Sequence, residues 1–328
     1  MKTMKWLLRR EFWEHKGSMY IAPLVVAGLM LATMVASLIF GKTVRLFNMK
    51  VNGQHVDGAA VIHGLPLDMQ AKMAEIATSA YLFVSAPLFL MLAVVVFWYC
   101  MGALYDERRD RSILFWKSLP VSDEMSVLSK VLTAAVVSPV ITGVIAVALS
   151  LVLLFAGCTV LTFHGVNLFS YVIASPNLYL APLGLLSLLP VYVVWALPTI
   201  GWLMLVSSWA RSKVFLWAVA APLVALLIVR WLSYLIYGIE VEGGGPLFLV
   251  AKDIVAHGLT GVIPGIWFQY QTVSPEALML PGKMGLSING LVTQSWSTLA
   301  SPDAWIGAAA GAAMLFGAIR IRRWRDEG

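Results

Sequence analysis

The sequence predicts an all-α integral membrane protein with six transmembrane helices, and three observations carry that prediction. First, 60% of its 328 residues are hydrophobic and 12% are charged, whereas a soluble domain carries about 25% charged residues. Second, the mean hydropathy of +0.83 is concentrated in six long runs, each close to the ~20 residues a helix needs to cross the hydrocarbon. Third, lysine and arginine concentrate on alternate sides of those runs, as membrane topology requires. The net charge of +6 is therefore a topology signal rather than a nucleic-acid footprint, and no nucleic-acid partner is expected.

The predicted spans are 18–40, 79–105, 131–157, 183–206, 214–238 and 304–320. Pro87, Pro139, Pro190, Pro198 and Pro222 fall inside them. Membrane helices tolerate such prolines and kink at them. With both termini inside, the inner segments hold 16 of the 23 lysines and arginines. Six more (Lys42, Arg45, Lys50, Lys72, Lys252, Lys283) lie outside, and Arg230 sits within a span. This N-in, C-in arrangement predicts a multi-pass protein of a cytoplasmic membrane with both termini in the cytoplasm. The two cysteines, Cys100 and Cys158, fall near opposite ends of neighbouring spans, which argues against a disulfide.

The first 17 residues place Met4, Leu8 and Phe12 on one side of a helix, with Trp6, Leu7 and Trp13 nearby and Lys5, Arg9, Arg10 and Lys16 between them. That pattern suits either an amphipathic elbow helix on an anionic leaflet or a basic anchor before the first crossing. The apolar run that follows is too long for a signal-peptide core. An outer loop over 41–78 shows strand-like alternation near 43–51 with an Asn52-Gly53 turn signal, then a helix over 68–77 that leads into the membrane. A longer outer insertion, 239–303, opens on Gly243-Gly244-Gly245-Pro246. Its apolar stretch 247–262 contains Lys252, Asp253 and His257, too polar for a seventh span. A helix on the outer face or one dipping into the membrane is predicted there. No repeat or linker divides the chain, so 1–328 reads as a single transmembrane domain.

The inner segment 106–130 carries the chemistry. Six charged residues, Asp106 to Arg111, give way to Ile113-Leu114-Phe115-Trp116, and Pro120 ends the run. Charges of both signs suit a helix continuing past the membrane, and Ser122 followed by Asp123 and Glu124 reads as the cap of the next helix. Bulky apolar side chains in a short loop belong in an interfacial belt or in another protein's groove.

Glu107-Arg108, Ser112-Ile113 and Ser118-Leu119-Pro120-Val121-Ser122 resemble the first cytoplasmic loop of the permease subunits of type-2 ATP-binding-cassette transporters. That loop commonly reads E-R-x-x-G-T-L-E-x-L-L-S-L-P-V-S and likewise follows the second of six spans. Arg111 replaces the usual glycine, Leu114 the usual acid and Lys117 an apolar residue. The resemblance implies an ATP-driven exporter whose translocation pathway this chain lines. It implies a second permease copy, as homodimer or heterodimer, and a separate cytoplasmic ATPase that holds ATP and Mg. The loop would be a coupling helix docked on that ATPase. Glu107, Arg108, Ser112, Ile113, Leu119 and Pro120 match the motif, and Phe115 and Trp116 fill its apolar positions. A non-transporting membrane scaffold or sensor, and a secondary carrier, are the alternatives. A carrier is disfavoured because no Asp or Glu lies deep in a span.

This chain is not expected to be an enzyme. Gly41-Lys42-Thr43 approximates a phosphate loop, but Ala36 stands where the first glycine belongs and a membrane span precedes it. The five histidines lack the spacing of a zinc site, and no cofactor is expected in this chain. Arg230 and Tyr234 are candidate substrate-pathway residues, because an arginine within a span costs about 2.5–3.5 kcal/mol unless it faces protein, water or an interface. Snorkelling beside Tyr234 and Tyr237, or pairing with Glu240, is the simpler reading of Arg230. Gly307 and Gly311, four apart in the last span, predict close helix packing within the subunit.

Overall fold

A computed structural model describes residues 2–39, 49–51, 54–56, 67–112, 121–163, 167–237, 245–270, 275–279 and 287–324. Six helical stretches are long and apolar enough to cross a membrane: Gly17–Ser37, Gln70–Arg109, Asp123–Phe163, Pro176–Trp209, Leu216–Tyr237 and Pro302–Trp324. This is the build of a multi-pass membrane protein. Four of these stretches extend well beyond the predicted spans. Hydropathy marks only the apolar portion, and a hydrogen-bonded helix does not stop where the hydrocarbon does.

In chain order, α1 is Lys2–Glu14 and α2 Ala22–Ile39. Strands β1 (Met49–Val51) and β2 (Gln54–Val56) pair antiparallel with Val51 opposite Gln54. They are the departure from an all-helical chain, and they flank the predicted turn at 52–53, which lies outside the described residues. Next come α3 (Leu67–Ala80), α4 (Ala86–Gly102), α5 (Tyr105–Arg109), α6 (Asp123–Leu132) and α7 (Ser138–Phe163). They are followed by α8 (Phe169–Ala174), α9 (Pro176–Ser187), α10 (Leu189–Trp209), α11 (Ala221–Tyr237) and α12 (Gly245–Thr260). The last helices are α13 (Ile288–Ser297) and α14 (Pro302–Trp324).

Proline explains where the spans change pitch. Wide π-turns at Gly17–Ile21, Thr133–Val137 and Leu216–Ala220 each end two residues before a proline: Pro23, Pro139 and Pro222. A proline has no N–H to offer and its ring crowds the carbonyl four residues back. Widening the preceding turn relieves that clash. Pro87 and Pro190 instead begin new helices after the 3-10 turn Tyr81–Ser85 and the break at Leu188.

Helix α10 is the axis of the core, with Trp195, Ala196, Ile200, Leu203 and Met204 fully buried. Helix α14 lies tightly against it. A Cβ on Gly311 would stand 2.5 Å from the Leu197 carbonyl oxygen, and one on Gly201 2.5 Å from the Gly311 carbonyl oxygen. The backbones meet because these positions carry no side chain, so Gly311 serves packing within the subunit. Gly307 closes on Pro198 and on the imidazole of His257.

The described part of the 239–303 insertion folds back on the fifth span. Helix α12 packs along α11, starting at Gly245, whose φ of +79° and position against the Tyr237 ring suit glycine alone. Its far end is anchored to α10: Thr199 donates to the His257 carbonyl at 2.9 Å and accepts from the Gly261 amide at 2.9 Å. Trp195, His257 and Tyr270 stack about that junction with ring centroids 4.9–5.2 Å apart. Cys100 and Cys158 are both free and buried.

Candidate functional site

The ends of α1, α5, α6 and α14 converge on one knot of charge. Glu11 on α1 is 1% exposed, Glu107 on α5 5%, Lys130 on α6 2% and Arg322 on α14 4%. Lys130 Nζ lies 2.9 Å from Glu11 Oε1 and 3.1 Å from Glu107 Oε1. Arg322 gives Nη1 to Glu107 Oε2 at 2.5 Å and Nε to Asp123 Oδ1 at 3.0 Å. Signs thus alternate along a chain from Glu11 through Lys130, Glu107 and Arg322 to Asp123. The Tyr99 hydroxyl donates to Glu11 Oε2 at 2.8 Å and closes one end. Arg10 approaches Glu107 Oε1 at 3.6 Å.

Local sequence places each member. In α1, Leu7 and Glu11 are one helical turn apart and share the buried face. Met4, Leu8 and Phe12 are half-buried beside them, and Trp6 and Trp13 face outward. Ser122 caps α6 as expected, its hydroxyl accepting from the Met125 amide at 3.2 Å. That cap sets Asp123 and Glu124 on the first turn, where they meet Arg322 and Arg323.

Arg108 has a different task. Its Nη2 donates to the carbonyl oxygens of Ser207 at 2.6 Å and Ala210 at 2.9 Å, groups that the end of α10 leaves without helical partners. Ser207 returns the arrangement, its hydroxyl accepting from the amides of Leu104 and Tyr105 at 3.0 and 2.9 Å. Those amides are the unsatisfied donors at the start of α5. The turn joining the fourth and fifth spans is thereby fastened to the end of the second.

Of the residues the sequence singles out, the structure places Glu107 in the knot and Arg108 against the end of α10, and the Ser112 hydroxyl donates to the Glu107 carbonyl at 3.3 Å. Both were expected to be charges along a protruding helix. They are instead buried, because each finds partners from other elements. Asp106, Arg109 and Asp110 remain as an exposed local cluster. Arg111, which stands where the resembling loops have glycine, adopts a left-handed φ of 56°. Ile113, Phe115, Trp116, Leu119 and Pro120 lie outside the described residues, as does Gly41-Lys42-Thr43.

Arg230 and Tyr234 lie on the exposed face of α11, and the Arg230 guanidinium covers the Phe248 ring at 4.8 Å from its centroid. Neither borders the open-sided cavity of about 640 Å³ that lies elsewhere between the spans. Sequence reasoning missed Glu11, Tyr99, Lys130, Ser207 and Arg322. In the sequence Lys130 and Arg322 count only among the inner-side cations, and nothing there singles out Glu11.

Burial decides what this knot does. Each charge leaves water at a cost of several kcal/mol and recovers it only with its partners in place. The elements that supply them therefore hold one relative arrangement or exchange it for another as a unit. No family model, curated protein or solved structure matches this chain.

Proposed function

We propose that this chain is the membrane-spanning subunit of an ATP-driven exporter of the type-2 ATP-binding-cassette kind, with ATP hydrolysis carried out by a separate cytoplasmic ATPase. The segment 106–122 is its coupling element, both termini are cytoplasmic, and α1 is the elbow. The loop's resemblance to permease subunits motivates the reading. One observation carries it: the root of that loop is tied by buried ion pairs and hydrogen bonds to α1, α6, α10 and α14. A push on the loop is then shared among four helices at once. Two packed arrangements of that bundle would give the bistable element that alternating access requires.

The test replaces Phe115 and Trp116 with alanine together. Membrane insertion and the melting temperature should be unchanged, while co-purification of the ATPase and ATP-dependent export are lost. Survival of both activities in the double variant would overturn the proposal.

A further inference from the structure

We infer that the apolar cavity between the second, third and fourth spans is a binding site for an acyl chain of a membrane lipid. Its volume is about 640 Å³, and its walls come from the Tyr81–Ser85 turn, α4, α7, α9, the start of α10, the 264–268 turn and α13. The lining is hydrocarbon almost throughout, from residues such as Leu90, Gly143, Val144, Leu183, Leu186 and Phe268. A polar ligand would lose its water there and find few groups to pair with, the Tyr192 hydroxyl among them.

Depth identifies what lies outside the mouth. Gly143 stands about 20 Å along the third span from Lys130, and Leu90 about 25 Å along the second from Glu107, at the ordinary helical rise. With the charge knot at one edge of a hydrocarbon layer about 30 Å thick, the cavity occupies the half of the bilayer distal to the knot. Leu90 and Val144 are 62% and 65% exposed, so the rim is apolar and open to whatever surrounds the helices at that level. In a bilayer, that is lipid tails.

The glycines separate this site from ordinary packing. Gly201, Gly261 and Gly311 each have a neighbouring backbone atom within 2.5 Å of where a Cβ would stand. Gly143 has nothing within 4 Å and borders the cavity. A helix-interior glycine costs about 0.8–1.0 kcal/mol relative to alanine in soluble helices, and here no close helix contact offsets it. What the missing side chain provides is groove depth. A partner helix is a poor occupant: at a diameter of about 10 Å, 640 Å³ holds only ~8 Å of it, about a turn and a half. A flexible hydrocarbon chain matches both the volume and the chemistry, and it restores the dispersion contacts an empty apolar space forfeits.

This inference stands independently of the transport proposal, and its test needs no ATPase. The full chain is reconstituted in phosphatidylcholine nanodiscs doped with a phosphatidylcholine carrying a diazirine at mid-acyl chain, then photolysed and mapped by mass spectrometry. Labelling is expected to be several-fold higher on 140–147 and 183–189 than on the lipid-facing surface around Leu227. Gly143→Phe, which fills the groove, should reduce it to the Leu227 level, and Val144→Trp at the rim should do the same. Uniform labelling of the parent protein at that depth would overturn the proposal, whatever the variants do. So would labelling that persists in a folded Gly143→Phe protein, or cross-linking of Gly143→Cys to a second copy in place of lipid.

Discussion

Arg322 donates to Glu107 across 215 positions of sequence, at 2.5 Å and away from solvent. The contact joins the last described span to the root of the loop between the second and third. It makes the sixth span part of the same mechanical unit as α1 and α6.

Lys130 serves two carboxylates, so its removal should be among the most damaging single changes. Lys130→Met leaves Glu11 and Glu107 buried without their shared cation, a situation that costs about 3–5 kcal/mol. A large fall in melting temperature in detergent is expected. Glu11→Gln combined with Lys130→Met should recover part of the loss, and a double-mutant cycle without coupling would remove the knot from the account.

The left-handed Arg111 tests the local geometry of the loop. For a residue with a Cβ that conformation costs roughly 1–2 kcal/mol, and β-branching makes it worse. Arg111→Val should lower unfolding stability by at least about 1 kcal/mol, while Arg111→Gly should not lower it. Equal stability of the two variants would show that residue 111 is not held at positive φ.

Close packing of α10 on α14 predicts a sharp contrast between glycines. Gly311→Val drives a side chain into the Leu197 carbonyl and should cost about 1–3 kcal/mol. Gly28→Ala faces open space and should leave stability unchanged or raise it by up to about 1 kcal/mol. Thermal unfolding of the two proteins side by side gives the comparison, and a harmless Gly311→Val would contradict the described interface.

Thr199 is the clasp between α10 and the end of α12. Thr199→Val keeps the shape but removes both hydrogen bonds, which are worth about 0.5–1.5 kcal/mol each. Hydrogen exchange over 257–261 should accelerate, with Thr199→Ser close to the parent. Unchanged exchange in the valine variant would mean that α12 is held by its rings alone.

The six spans were legible because hydropathy adds up along the chain and needs no knowledge of neighbours. The Ser122 cap and the Gly307/Gly311 packing were legible for a related reason: both are written in short local patterns. The knot was not. Lys130 and Arg322 already had an explanation as inner-side cations, so nothing marked them as buried. Glu11 becomes informative only when α1 is seen against Tyr99 and Lys130. The fold-back of α12 was open in the sequence between a surface helix and a dipping one. Its packing along α11 and its clasp on Thr199 depend on contacts between distant segments.

The alternating charges also impose an order on biogenesis. Glu107 and Asp123 leave the ribosome long before Arg322, so until the sixth span arrives these two carboxylates lack the arginine that joins them. Arrival of the sixth supplies the missing cation and, through Gly311, the tightest seam. Final consolidation therefore waits on translation of the last span, and the preceding intermediate is the stage at which membrane quality control would find an unsatisfied acid to recognise.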